Sequence, residues 1–141
     1  MICYDFIKKF RRLIMSEHIG KLVLRFMVGG LMLFHGINKV IHGVGFIKGL
    51  VVAQGLPEVL AYGVYVGEIL APLLLIFGWK SRLWAGIIAF NMAVAIYLTH
   101  MSAFFKLGGH GAWALELPMF YMLSALAIVF LGSGKYAIVR D

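Results

Sequence analysis

Residues 59–99 read VLAYGVYVGEILAPLLLIF, then GWKSR, then LWAGIIAFNMAVAIYLT. Each apolar run is close to the roughly 20 residues that a helix needs to cross hydrocarbon at about 1.5 Å per residue. The link between them is too short for anything but a tight reversal, and its glycine and charges stop a helix on either side. The stretch therefore predicts two antiparallel transmembrane helices, 59–77 and 83–99.

The rest of the chain follows the same grammar. Of 141 residues, 62% are apolar and only 13% charged, with a mean hydropathy of +0.95. A water-soluble domain carries roughly 25% charged residues, so the outer solvent of this chain is lipid. Two further apolar runs, 22–41 and 112–131, complete an expected all-α, four-transmembrane-helix bundle. The segments HGVGFIKGLVVAQGLPE and MSAFFKLGGHG read as connecting loops. No alternating pattern supports a barrel, and irregular backbone cannot face lipid.

Lysine and arginine set the orientation. With a cytoplasmic N-terminus, Lys8, Lys9, Arg11, Arg12, Lys21, Arg25, Lys80, Arg82, Lys135 and Arg140 fall inside, while Lys39, Lys48 and Lys106 fall outside. That asymmetry predicts a multi-pass membrane protein with both termini cytoplasmic. The net charge of +7 is then a membrane-surface feature, and no nucleic-acid partner is expected.

Residues 1–20 divide from the transmembrane domain at 21–141. On a helical wheel Phe6, Ile7, Phe10, Leu13 and Ile14 share one side, while Lys8, Lys9, Arg11 and Arg12 share the other. This is the pattern of an amphipathic interfacial helix that binds anionic lipid; a solvated basic tail that enforces topology is the other reading. No small-residue cleavage site follows it. The single cysteine, Cys3, provides no dithiol pair, so any redox role needs a bound cofactor. Phosphate loops, dinucleotide fingerprints and internal repeats are absent from the sequence.

Depth then sorts the polar residues. On the first span His35 lies about 9 Å and Lys39 about 3 Å below the outer end, and Asn38 and His42 extend the same polar stripe. Glu68 lies near mid-membrane, His100 ends the third span, and Glu116 opens the fourth. A lysine near a helix end can snorkel, whereas a mid-membrane carboxylate costs several kcal/mol unless it is paired, neutralised or hydrated. Glu68 should face the bundle and meet His35, Lys39 or His100. The product is either a structural ion pair or a ligand and proton site, since histidine titrates near neutrality and a buried carboxyl can be raised towards it. His35, Lys39, Glu68, His100 and Glu116 are expected to share one outer-half pocket.

The remaining polar residues carry structural readings. Asn91 stands nine residues before His100, about 180° away on a regular helix, and suggests an interhelical hydrogen bond. Pro72 should bend the second span and free the carbonyl of Glu68. Trp79, Trp84 and Trp113 suit interfacial anchors, and His42 and His110 lie in outer loops.

Taken in order, RFMVGGLMLFHGINKV, the GLP at 55–57, GEILAPLLLIFG around Glu68, WKSR at 79–82, His100, Glu116 and the closing LGSGKYAI resemble the DoxX family of small four-helix bacterial membrane proteins. The resemblance covers roughly residues 22–138 and implies a bacterial inner membrane. It picks out Arg25, His35, Gly36, Lys39, Glu68, Arg82, His100 and Glu116 as the family-like set. The basic tail is outside the family pattern, and Ser133 stands where a proline is expected. The family is named for similarity to subunits of a thiosulfate:quinone oxidoreductase, and some relatives associate with membrane oxidoreductase complexes. Nothing among these residues independently indicates a sulfur substrate.

Three function classes follow. In the first, a redox-associated subunit binds a quinone, with His35 or His100 bonding a quinone carbonyl and Glu68 or Glu116 trading a proton. Partner subunits of a membrane oxidoreductase, or an oligomer, would complete it. In the second, His35 and His100, with Glu68 or Glu116, hold a metal or haem, although no compact ligand motif is present. In the third, the polar cluster is an assembly device or a transport path, with Arg25, Arg82, Asn38 and Asn91 as structural polar groups.

Overall fold

The computed structural model describes residues 2–109 and 111–141, and of the side chains before Met15 only that of Ile7. The side chains of Cys3, Lys8, Lys9, Arg11 and Arg12, and all of His110, lie outside the described residues. Five helices follow in order: α1 (Ile2–His42), α2 (Gly45–Ala53), α3 (Glu58–Phe77), α4 (Ser81–Ala103) and α5 (Glu116–Leu131).

Length and apolarity make three segments able to cross a membrane: Met15–His42, Glu58–Phe77 and Ser81–Ala103. The expected fourth span, 112–131, is shorter than the sequence suggested, because α5 begins only at Glu116. The four residues before it are used by a turn: Gly108 N–H donates to Ala112 O (2.7 Å) and Ala114 N–H to Lys106 O (3.1 Å). The Trp113 indole N–H donates to Phe104 O at 2.6 Å and closes this turn. At 16 residues, α5 is about 24 Å long.

One other expectation changes, in the connection that follows the first helix. That helix continues through residue 20 without a break. The connection after it is not all loop: Gly43 (φ 79°) ends α1, and GFIKGLVVA folds as α2 before Gly55 (φ 73°) turns the chain again. Its glycines hid a helix whose apolar side chains are held by the bundle.

The core lies where α1, α3, α4 and α5 meet, and includes Val28, Met32, Leu75, Ile88, Met92, Tyr121 and Ile128. Outward, Phe34, Phe90 and Phe130 are each more than 70% exposed, the surface of a protein that faces lipid. Helix α1 packs on α3, and α4 on both α3 and α5.

Close approach between helices depends on Gly29, which faces Pro72 O of α3, and on two glycines nearer the cavity. A methyl at Gly36 of α1 would run into the backbone carbonyl of Glu68, and one at Gly67 of α3 would stand 2.5 Å from Asn91 Cγ. Small residues let membrane helices touch through their backbones, where dispersion replaces the missing hydrophobic drive. These contacts place the middle of α3 directly between α1 and α4.

The opposite end of the bundle is closed by the chain after α5. Ile138 N–H donates to Phe77 O (3.2 Å) and Val139 N–H to Gly78 O (3.1 Å), satisfying carbonyls at the end of α3. Arg25 is fully buried there and donates through Nη2 to Tyr136 O. Asp141 accepts from Arg82 N–H (2.8 Å) at the start of α4 and from Ser133 N–H (3.1 Å), while its own N–H donates to Ser133 Oγ (3.0 Å). A proline at 133 would lack both the N–H and the hydroxyl of this exchange.

Candidate functional site

The π turns of two long helices lie beside one space. Helix α3 widens into a π turn at Val66–Leu70 that contains Glu68, and α4 does so at Ile96–His100. Pro72 follows the first and has no N–H to return to Glu68 O, so the sequence's expected bend takes the form of this widened turn. Glu68 and His100 both line a cavity of about 580 Å³ between α1, α2, α3, α4 and α5.

The cavity is mostly apolar, with polar groups at a few points. Lys39 reaches from α1 and donates to Glu68 Oε2. The Glu68 side chain is 4% exposed and that of Lys39 is 25% exposed, so the carboxylate is enclosed while the ammonium is partly open. Asn91 Nδ2 donates to Glu68 Oε1 at 3.4 Å. Each carboxylate oxygen thus accepts one hydrogen bond, which leaves neither oxygen of this buried group unpaired. Tyr65 OH donates to Lys39 O (3.2 Å) and ties α3 to the same turn of α1.

The two histidines stand differently. His35 meets Tyr121 of α5 edge-on, ring centroids 5.7 Å apart at 89°. His100 is bonded through Nδ1 to Thr99 Oγ1. Both line the cavity, as do Tyr121 and Thr99.

Helix α2 covers one side, with Phe46, Ile47, Leu50 and Val51 on the cavity wall. Lys48 pins it to the start of α3: its Nζ lies 2.7 Å from Glu58 Oε1 and 4.6 Å from the Tyr62 ring centroid. The hydrogen bond to Glu58, followed by that to Tyr62, raises the Lys48 pKa well above the ordinary lysine range.

The structure therefore brings His35, Lys39, Glu68 and His100 to one cavity. Glu116 is exposed and does not line it, because the turn before α5 places the first helical residue away from the interior. Asn38 is exposed; its carbonyl accepts from His42 Nδ1 at 3.0 Å. Arg25 and Arg82 belong to the far end. Among the described residues, no three His, Cys, Asp or Glu side chains stand together as a metal-ligand set.

Sequence reasoning separated Asn91 from His100, yet both line the cavity. The wheel assumed a regular helix. The π turn at Ile96–His100 takes up an extra residue and turns His100 back by roughly 100°. Tyr121, Thr99 and the α2 wall gave no sequence signal, since each reads as ordinary apolar or helix-end composition.

A family model described as DoxX matches residues 20–101. An uncharacterized protein of Haemophilus influenzae (strain ATCC 51907 / DSM 11121 / KW20 / Rd) is 33% identical over 119 residues, covering 82% of this chain and 84% of its own. No solved structure matches.

Proposed function

The chain belongs to the DoxX family of membrane proteins, and we propose that it is a redox-associated membrane subunit whose cavity takes a quinone or a similar small neutral ligand. The observation that supports this reading is the combination of about 580 Å³ of mostly apolar space with a charge-neutral Lys39–Glu68 pair at its wall. Ligand cavities are commonly of about 300–1,000 Å³, apolar, with a few fixed polar groups. An anion would find Lys39 already neutralised by Glu68. A flat ring with oxygen substituents instead matches apolar walls with histidine, tyrosine and lysine at separate points.

In this reading the cavity lies in the outer half of the inner membrane, and the termini are cytoplasmic. The basic segment Lys8, Lys9, Arg11 and Arg12 contacts anionic lipid, and electrons reach the cavity through partner oxidoreductase subunits. The protein's own residues bind and orient the ligand, and Glu68 or a histidine exchanges protons with it.

Equilibrium binding of a short-tailed benzoquinone to the protein in nanodiscs tests the reading. Saturable binding is expected, weakened roughly tenfold or more by Glu68→Gln, with the variant still inserted and folded. Absence of saturable binding, or affinity unchanged in a folded Glu68→Gln protein, overturns it. A variant that retains affinity but loses thermal stability would make the ion pair an assembly device.

A further inference from the structure

We infer that His100 is a hydrogen-bond acceptor in the cavity and selects a ligand that presents a hydroxyl to it, a phenol or hydroquinone in preference to the corresponding quinone. The ligand class rests on the reading above; the state of the imidazole does not.

The argument turns on one proton. Thr99 Oγ1 donates to Ala95 O at 2.6 Å, the back-bond that a threonine makes within its own helix. A hydroxyl has one hydrogen to give, so Thr99 Oγ1 can meet a second partner only as an acceptor. That partner is His100 Nδ1. The ring hydrogen of neutral His100 must therefore be on Nδ1, and Nε2 is the bare nitrogen.

The consequence reaches the ligand. Nε2 is the ring nitrogen left for a ligand, and in this tautomer it accepts and cannot donate. A carbonyl oxygen opposite it would face lone pair against lone pair, whereas a hydroxyl would complete the bond. Binding sites that offer a polar group discriminate strongly against ligands that leave it unpaired. Donors to a carbonyl must then come from elsewhere on the wall, where Lys39 and Tyr121 stand. His35, in contact with the Tyr121 ring and without a hydrogen bond among the described residues, is not fixed in this way. Thr99 is thus a positioning residue: it acts through His100.

Two measurements on the full chain in nanodiscs test this. Nitrogen-15 NMR of histidine-labelled protein, at a pH where His100 is neutral, should show Nε2 of His100 unprotonated and Nδ1 protonated. Thr99→Val should release the ring towards the Nε2–H tautomer. An Nε2–H tautomer in the parent protein overturns the inference without any ligand.

The second measurement compares the reduced and oxidised forms of one short-tailed benzoquinone, under anaerobic conditions, so that size is held constant. The reduced form should bind roughly tenfold more tightly or better, and Thr99→Val, which releases the His100 ring towards the other tautomer, should remove most of that preference; a preference unchanged in that variant overturns the role of Thr99. Equal affinities in the parent overturn the selectivity and leave the cavity reading standing. Binding of neither form, with the tautomer as inferred, overturns that reading and the ligand class with it.

Discussion

Lys39 on α1 and Glu68 on α3 form an ion pair whose two members are unequally buried, the carboxylate 4% and the ammonium 25% exposed. Removing either partner is therefore not equivalent. Loss of Lys39 strands a buried carboxylate with only Asn91 to bond it, whereas Gln at 68 carries no charge and keeps one acceptor oxygen for one of the two neighbours. Lys39→Met should cost about 3–5 kcal/mol of stability, and Glu68→Gln distinctly less. The double variant should recover part of the loss, because no buried charge remains. Thermal unfolding in detergent of all three reads the order, and a Lys39→Met protein as stable as Glu68→Gln would contradict it.

The Gly36 and Glu68 backbones touch, while Gly30, on the same helix, has nothing within 4 Å of where a methyl would go. Gly36→Ala should destabilise by about 1–3 kcal/mol through forced separation of α1 and α3. Gly30→Ala should be neutral or gain up to about 1 kcal/mol from helix propensity. Equal effects at the two positions, in matched unfolding curves, would remove the backbone contact as the cause.

The Ser133–Asp141 exchange closes the end opposite the cavity. Ser133→Ala and Asp141→Ala should each lower stability by about 1 kcal/mol. Together they should cost less than the sum, since each removes a different one of the two bonds that hold the same pair of residues together, and either loss loosens the other bond. Strict additivity in the double-variant cycle would show that the two residues act separately.

The parts legible in the sequence were those with a large penalty for being wrong. A mid-membrane carboxylate has to find a partner, so Glu68 pointed inward, and four residues of helix brought His35 and Lys39 to one stripe. Arithmetic on regular helices failed where the helices are irregular: the π turn before His100 put it and Asn91 on one cavity. The glycines of GFIKG read as a loop, although packing against α3 and α4 folds them as α2. Glu116 shows the limit of depth alone, since depth says nothing about the direction in which a helix's first turn faces. The partner of Ser133 lay eight residues away in a segment without periodicity.

Helix α2 is held over the cavity by Lys48, whose pKa is raised first by Glu58. A raised pKa means that the pair's contribution is complete below the ordinary lysine range and fades only as pH rises beyond it, so from about pH 6 to 9 it is constant. The pair lies at the surface, with the Glu58 side chain more than half exposed, so Lys48→Gln should leave the unfolding temperature unchanged within error. Hydrogen-exchange protection of residues 46–53 should fall in that variant, and ligand release should quicken. Unchanged protection across α2 would mean that its apolar side alone holds it down.

The last prediction concerns which way the bundle faces. Lys21 lies against Gly134, Arg25 against Gly78 and Tyr136, and Arg82 against Gly132 and Asp141. Lys80, beside Trp79 in the α3–α4 turn, belongs to the same end. Lys39 and Lys48 stand with the cavity at the other. Positive charge near span ends is retained on the cytoplasmic side, and the bias is strongest in short connections such as GWKSR. The end carrying Asp141 should therefore be cytoplasmic and the cavity should lie towards the outer surface. Fused after Asp141, a fluorescent protein should light up and alkaline phosphatase should stay inactive. An active phosphatase at that position would place the cavity towards the cytoplasm, and any ligand or proton would then have to enter from that side.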